Sequence, residues 1–177
     1  MTTLDPVEKL IRAEQWVLAR KEIESALKAK PDSHWLHSRL GLTYYEMREY
    51  KTALKHSERA RNLEPRCPLV LWDLAGTLQM LERHPEALEI YRALIRRGPK
   101  RIANGPCGEG LARARGLVTD CHYRSSQSLE ALGRKDEAMV EFETHLDLRG
   151  PGCQSIYPLA QLNRPGEERK NRRPTGK

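Results

Sequence analysis

The chain has 177 residues, 31% of them charged and 38% hydrophobic, with a formal net charge of +7 and a mean hydropathy of -0.71. That length accommodates one domain or one short helical array with its own core, so neither disulfides nor a metal is needed to hold it together. No apolar run approaches the roughly 20 residues of a membrane span, and the opening Met1-Thr2-Thr3-Leu4-Asp5-Pro6 lacks the basic and apolar regions of a secretory signal, so a cytoplasmic protein with no membrane partner is expected.

In chain order, the first signal is Asp5-Pro6, an N-cap residue followed by proline at the first helical position. From there a period emerges. Pro31, Pro65 and Pro99 are 34 residues apart, and Ala19, Ala53 and Ala87 keep the same spacing. A fixed period of this length predicts an array of helix pairs, each unable to bury its apolar face alone. Units are expected at 5–33, 34–67 and 68–101. In the second, Leu40, Gly41, Tyr44, Ala53, Ala60 and Pro65 take positions 7, 8, 11, 20, 27 and 32; in the third, Leu74, Ala75, Leu78, Ala87, Tyr91 and Pro99 take positions 7, 8, 11, 20, 24 and 32. Small residues let two helices approach, larger ones fill the gaps, and proline separates one unit from the next.

Gly133, Ala138 and Phe142 fit positions 15, 20 and 24 of a fourth unit at 119–150, which starts 17 residues late. The insertion, 102–118, opens with the breaker run Asn104-Gly105-Pro106-Cys107-Gly108-Glu109-Gly110. It continues with helix formers from Leu111, read as an extension of the next helix to about Leu132, against which Gly116 counts. Gly150-Pro151-Gly152 is a hard stop. Ile156-Tyr157-Pro158-Leu159 is a candidate to fold back over the end of the array, with one helical turn at Leu159-Ala160-Gln161-Leu162. The repeat domain is thus expected to span 1–162, and 163–177 to be a basic disordered tail.

These positions resemble the tetratricopeptide repeat. The resemblance covers about 5–149 and is carried most fully by the second and third units. It implies an all-α, right-handed superhelix of about four helix-turn-helix repeats, whose first helices line a concave groove through positions 2, 5, 9 and 12. Carried onto this chain, those positions are Trp35, Ser38, Leu42 and Tyr45; Leu69, Trp72, Gly76 and Gln79, with Met80 adjacent; and Asp120, Tyr123, Gln127 and Glu130, with Arg124 at position 6. Four of the ten aromatic residues, Trp35, Tyr45, Trp72 and Tyr123, fall on this face. Large rings suit a binding face because they bury much area with few rotatable bonds. The implied function is a non-enzymatic adaptor holding a peptide or helix of another protein. The carboxylate clamp that some family members use is broken here, with Ser38, Leu42 and Asp73 where it needs Lys and Asn.

Other chemistries have less support. The glycine-rich run at 105–110 lacks the Lys-Ser/Thr of a phosphate loop. The four cysteines, Cys67, Cys107, Cys121 and Cys153, form no close pair for zinc and are read as reduced thiols. No catalytic constellation, metal or cofactor is expected. Charge supplies the alternative. Arg96, Arg97, Lys100, Arg101, Arg113 and Arg115 crowd one stretch, and the tail from Arg164 holds six Lys/Arg against Glu167 and Glu168, a pattern open to RNA or ribonucleoprotein. A secretion-chaperone-like module and self-association through an uncapped end remain further readings.

Overall fold

The computed structural model describes residues 4–167, with side chains from Pro6 onward, and contains eight α-helices and no strand among them. They are α1 (Leu4–Arg12), α2 (Trp16–Ala29), α3 (His34–Glu46), α4 (Tyr50–Leu63), α5 (Pro68–Met80), α6 (His84–Ala103), α7 (Leu111–Ala131) and α8 (Lys135–Asp147). The first helices of the units are α1, α3, α5 and α7. The second helices begin at Trp16, Tyr50, His84 and Lys135, which is position 17 in every unit once the fourth is started at Thr119.

The turn inside each unit is built the same way. Its last residue bonds back five residues: Gln15 N–H to Leu10 O, Glu49 to Tyr44, Arg83 to Leu78 and Arg134 to Leu129, each 2.9 Å. The residue before it, Glu14, Arg48, Glu82 or Gly133, takes a positive φ of 54°, 63°, 60° or 74°. This is the Schellman end of a helix, which satisfies carbonyls that have no partner within the helix. Only the fourth unit uses the residue that adopts the conformation without strain.

Two compact units result. The first ends at Arg83 and holds α1–α5; the second begins at His84 and holds α6–α8 with the segment that follows. In the first, α3 packs on α2, α4 and α5. Val7, Ile23, Leu36 and Leu40 form its fully buried centre, flanked by Ile11, Leu27, Trp35 and Tyr44. Ala53 and Ala60 are buried completely, and a Cβ on Gly41 would stand 2.8 Å from Ser57 Oγ, so α3 and α4 touch at the small positions. His37 and His56 stack beside them. Since the Pro31 carbonyl only accepts, His37 Nε2 carries a proton and donates to it at 2.9 Å; His37 Nδ1 then accepts from His56 Nδ1 at 3.4 Å. Burial pushes the His56 pKa down, which suits a neutral His56.

In the second unit, α7 packs on α6 and α8, with Leu88, Leu129 and Ala138 at one centre. The inserted residues do form an extension: α7 has 21 residues and starts at Leu111. The expected break at Pro99 falls one residue earlier. Gly98 leaves helical geometry (φ 73°, ψ 158°), and Pro99 opens one more helical stretch to Ala103, a position where its missing N–H does no harm. α1 starts at Leu4, two residues before Pro6, within the usual fraying of helix ends. Residues 168–177, most of the basic tail, lie outside the described residues, and 163–167 lie against α7. The four cysteines are free. Among the described residues no helix is long and apolar enough to cross a membrane.

Candidate functional site

In the N-terminal unit the first helices α3 and α5 lie side by side, and a polar line joins them. Ser38, at position 5 of α3, is buried and donates its hydroxyl to Asp73 Oδ2 on α5 at 2.5 Å. Burial raises the Asp73 pKa to about 6, while the nearby Arg39 charge and the Ser38 bond pull it back down. Arg39 donates to Glu8 Oε1 on α1 at 2.7 Å and lays its guanidinium over the Trp35 ring at 5.4 Å. The indole is therefore fixed in orientation by a cation above it and core residues beneath it. Trp35, Leu42 and Tyr45 on α3 and Leu69 and Trp72 on α5 are all partly exposed. Tyr45 meets Tyr50 edge-on at 5.5 Å. At the end of α5, Gln79 is buried and Met80 is 41% exposed. Ser38 and Gln79 are buried rather than exposed, and Ser38 serves the helix–helix contact.

In the C-terminal unit the equivalent helix is α7, and its face is covered by the chain itself. Residues 153–167 return along α7 from its first turns to its last. Gln154 N–H donates to Ala112 O (3.4 Å), Ile156 N–H to Asp120 Oδ2 (2.9 Å), Asn163 N–H to Tyr123 Oη (3.1 Å) and Gly166 N–H to Glu130 Oε1 (2.7 Å). Asp120, Tyr123 and Glu130 are positions 2, 5 and 12 of the fourth unit. Tyr123 is only 2% exposed, with the Tyr157 ring 4.8 Å away at 60°, and the Arg124 guanidinium lies over the Tyr157 ring at 5.7 Å. Gln127 remains partly exposed.

Beneath the segment lies a buried polar cluster. Asp120 accepts from Ser155 Oγ at 2.5 Å; burial raises its pKa, and the bonds from Ser155 and Ile156 oppose that shift. Arg149 donates to Ser155 Oγ (2.8 Å), to Tyr157 O (2.7 Å) and to His145 Nε2 (3.2 Å). His145 stands at position 27, where the other units have Ala26, Ala60 and Leu94. It is completely buried and donates Nδ1–H to Thr119 O at 2.8 Å. With Nδ1 donating and Nε2 accepting it is neutral, in line with a pKa lowered by burial.

Gly116 explains how the segment fits. A Cβ there would overlap the carbonyl of Gln154. A mid-helix glycine costs about 1 kcal/mol relative to alanine, and here it admits another stretch of backbone onto the helix. Sequence reasoning singled out Gly116 only as a weak point of the helix. The pairing of Gly116 with Gln154 spans 38 positions and has no local signal.

The basic residues differ in exposure and in partners. Arg96, Lys100 and Arg101 are exposed on α6, whereas Arg97 packs against Gly105. Arg113 is paired with Glu109 at 2.9 Å, and Arg115 lies by Gly152.

Recurring helix pairs with one turn geometry define a helical-repeat protein of the interaction-scaffold kind. Residues 38–102 match the tetratricopeptide repeat family. The human (Homo sapiens) superkiller complex protein 3 is 23% identical over 160 residues; these make up 85% of this chain, which spans 10% of that relative's length. Among solved structures, MamA (41 to the end) from Desulfovibrio magneticus RS-1 superposes with a TM-score of 0.64 at 12% identity, covering 83% of this chain and 73% of that one. MamA AMB-1 gives 0.59 at 21% identity, covering 82% and 70%. These likenesses define the fold. It is a scaffold for protein–protein interaction and is generally non-enzymatic.

Proposed function

We propose that this chain is an adaptor that holds an extended or helical segment of a partner protein on the first-helix face of its N-terminal unit, with Trp35 and Trp72 as anchors. The observation that carries the reading is the α3–α5 face itself. Rings at Trp35, Tyr45 and Trp72 stay partly exposed, Trp35 is held rigid under Arg39, and Leu42, Leu69 and Met80 surround them with apolar surface. Rigid, partly buried aromatics lose little entropy on binding, which is why they serve as hot spots. The human relative is named for a complex, in keeping with an assembly role. The same fold and the same face would serve a cytoplasmic or a secretion-chaperone-like adaptor.

The test is selection of displayed peptides on the full chain, followed by affinity measurement with Trp72→Ala. Loss of an anchor ring is worth about 2 kcal/mol or more, so binding should weaken at least about thirtyfold and depend little on salt. If instead a mixed-sequence RNA probe binds tightly, loses affinity steeply with salt and ignores Trp72→Ala, the exposed Arg96, Lys100 and Arg101 are the functional surface.

A further inference from the structure

The segment 153–167 lies on α7 in the manner of a bound peptide. Its backbone amides go to acceptors spread along one helix face, Ala112 O, Asp120, Tyr123 and Glu130. Two of its side chains are read individually. The Ser155 hydroxyl bonds both the Asp120 carboxylate and the Arg149 guanidinium, and the Tyr157 ring contacts the Tyr123 ring and the Arg124 guanidinium.

We infer that the α7 face is a second peptide-binding surface, specific for an extended segment carrying a hydroxyl residue followed two positions later by an aromatic one, and that Ser155-Ile156-Tyr157 occupies it in cis until such a partner segment displaces it. The inference rests on the reading of first-helix faces as peptide sites and names the chemistry of what one of them takes. Asp120 supplies both halves of the recognition: Oδ1 accepts the hydroxyl and Oδ2 accepts the next amide N–H. Arg149 closes the third side by donating to the hydroxyl oxygen and to the carbonyl of the aromatic residue. A hydroxyl does both with a single atom, accepting from Arg149 while donating to Asp120.

The segment is also placed to leave. Ile156 is 66% and Leu159 63% exposed, so these two contribute little burial, and the apolar hold rests on Tyr157, Leu162 and Pro165. The segment's other anchors are polar contacts at the edge of the unit, the kind that open locally below the free energy of global unfolding. Gly150-Pro151-Gly152 precedes it, with Gly152 at φ 77°. A tethered ligand competes at an effective concentration near the millimolar range, so a free peptide sees only the small fraction of open chains, and its apparent affinity falls in proportion.

The experiment uses the full chain and a fluorescein-labelled peptide of residues 150–167, with binding read by anisotropy. Ser155→Ala together with Tyr157→Ala weakens the occupant and leaves α7 untouched. The labelled peptide should then bind at least tenfold tighter than to the parent chain, and adding Gly116→Ala should abolish that gain. Unchanged peptide affinity in the double variant, with helical content retained by circular dichroism, would overturn the inference. So would loss of cooperative melting in that variant, which would make the segment a fixed part of the fold. Peptide binding that ignores Gly116→Ala but is lost with Trp72→Ala would also overturn it, while leaving the α3–α5 reading in place.

Discussion

Three of the four repeat turns place a side-chain-bearing residue at positive φ: Glu14, Arg48 and Glu82. Left-handed geometry costs such a residue about 1–2 kcal/mol, whereas glycine adopts it freely but gives up roughly 0.5–1 kcal/mol of chain entropy. Arg48→Gly should therefore stabilise the protein by up to about 1 kcal/mol in denaturant titration, and Gly133→Ala, the converse at φ 74°, should destabilise it by a similar amount. Asp73 gives a prediction in pH. Its folded pKa is raised to about 6, so between pH 6 and its unfolded value near 4 the native state holds the proton more tightly than the unfolded chain. Stability from this group accordingly rises on acidification through that window and falls as pH rises through 6. Asp73→Asn keeps an acceptor for Ser38 but carries no charge. The melting temperature of the variant, relative to the parent, should climb as pH goes from 4 to 7; a constant difference would mean that the burial of Asp73 is not what shifts it.

At the scale of helices, the close approach of α3 and α4 depends on Gly41, whose absent Cβ leaves 2.8 Å to Ser57 Oγ. Gly41→Val forces branched carbons into that contact and should cost about 1–3 kcal/mol, the usual range for overpacking, measured as a lowered denaturant midpoint with unchanged slope. Much at this scale was legible in the sequence. The starts of α2, α4 and α6, at Trp16, Tyr50 and His84, keep the 34-residue spacing of the alanines and prolines, and Ala138 and Phe142 lie in α8 beyond the insertion, because turn and packing positions tolerate few residue types. The helical extension from Leu111 was legible for the same reason: a run of helix formers without proline says helix wherever it packs. The kink falls at Gly98 and not at Pro99 because it is glycine that leaves helical geometry and proline that restarts the helix.

Across the whole chain, what sequence periodicity could assign was which positions face away from the helix pair; what covers those positions was beyond it. Tyr123 and Trp35 hold equivalent kinds of position, yet Tyr123 is closed over by Tyr157 and Asn163 while Trp35 stays partly exposed. The difference arises from residues 153–167, which have no helical period and reach α7 by hydrogen bonds spanning 34 to 42 positions. Ser38 misleads in the same way, being small and polar at a face position but spent on Asp73. The central claim, that the α3–α5 face holds a partner peptide, has a direct readout in the three tryptophans. Trp35 and Trp72 lie on first helices, and Trp16 opens a second helix. In a nitrogen–proton correlation spectrum of the full chain titrated with a selected peptide, the indole signals of Trp35 and Trp72 should shift and that of Trp16 should stay. Movement of Trp16 alone, or of none of the three on saturation, would contradict the account.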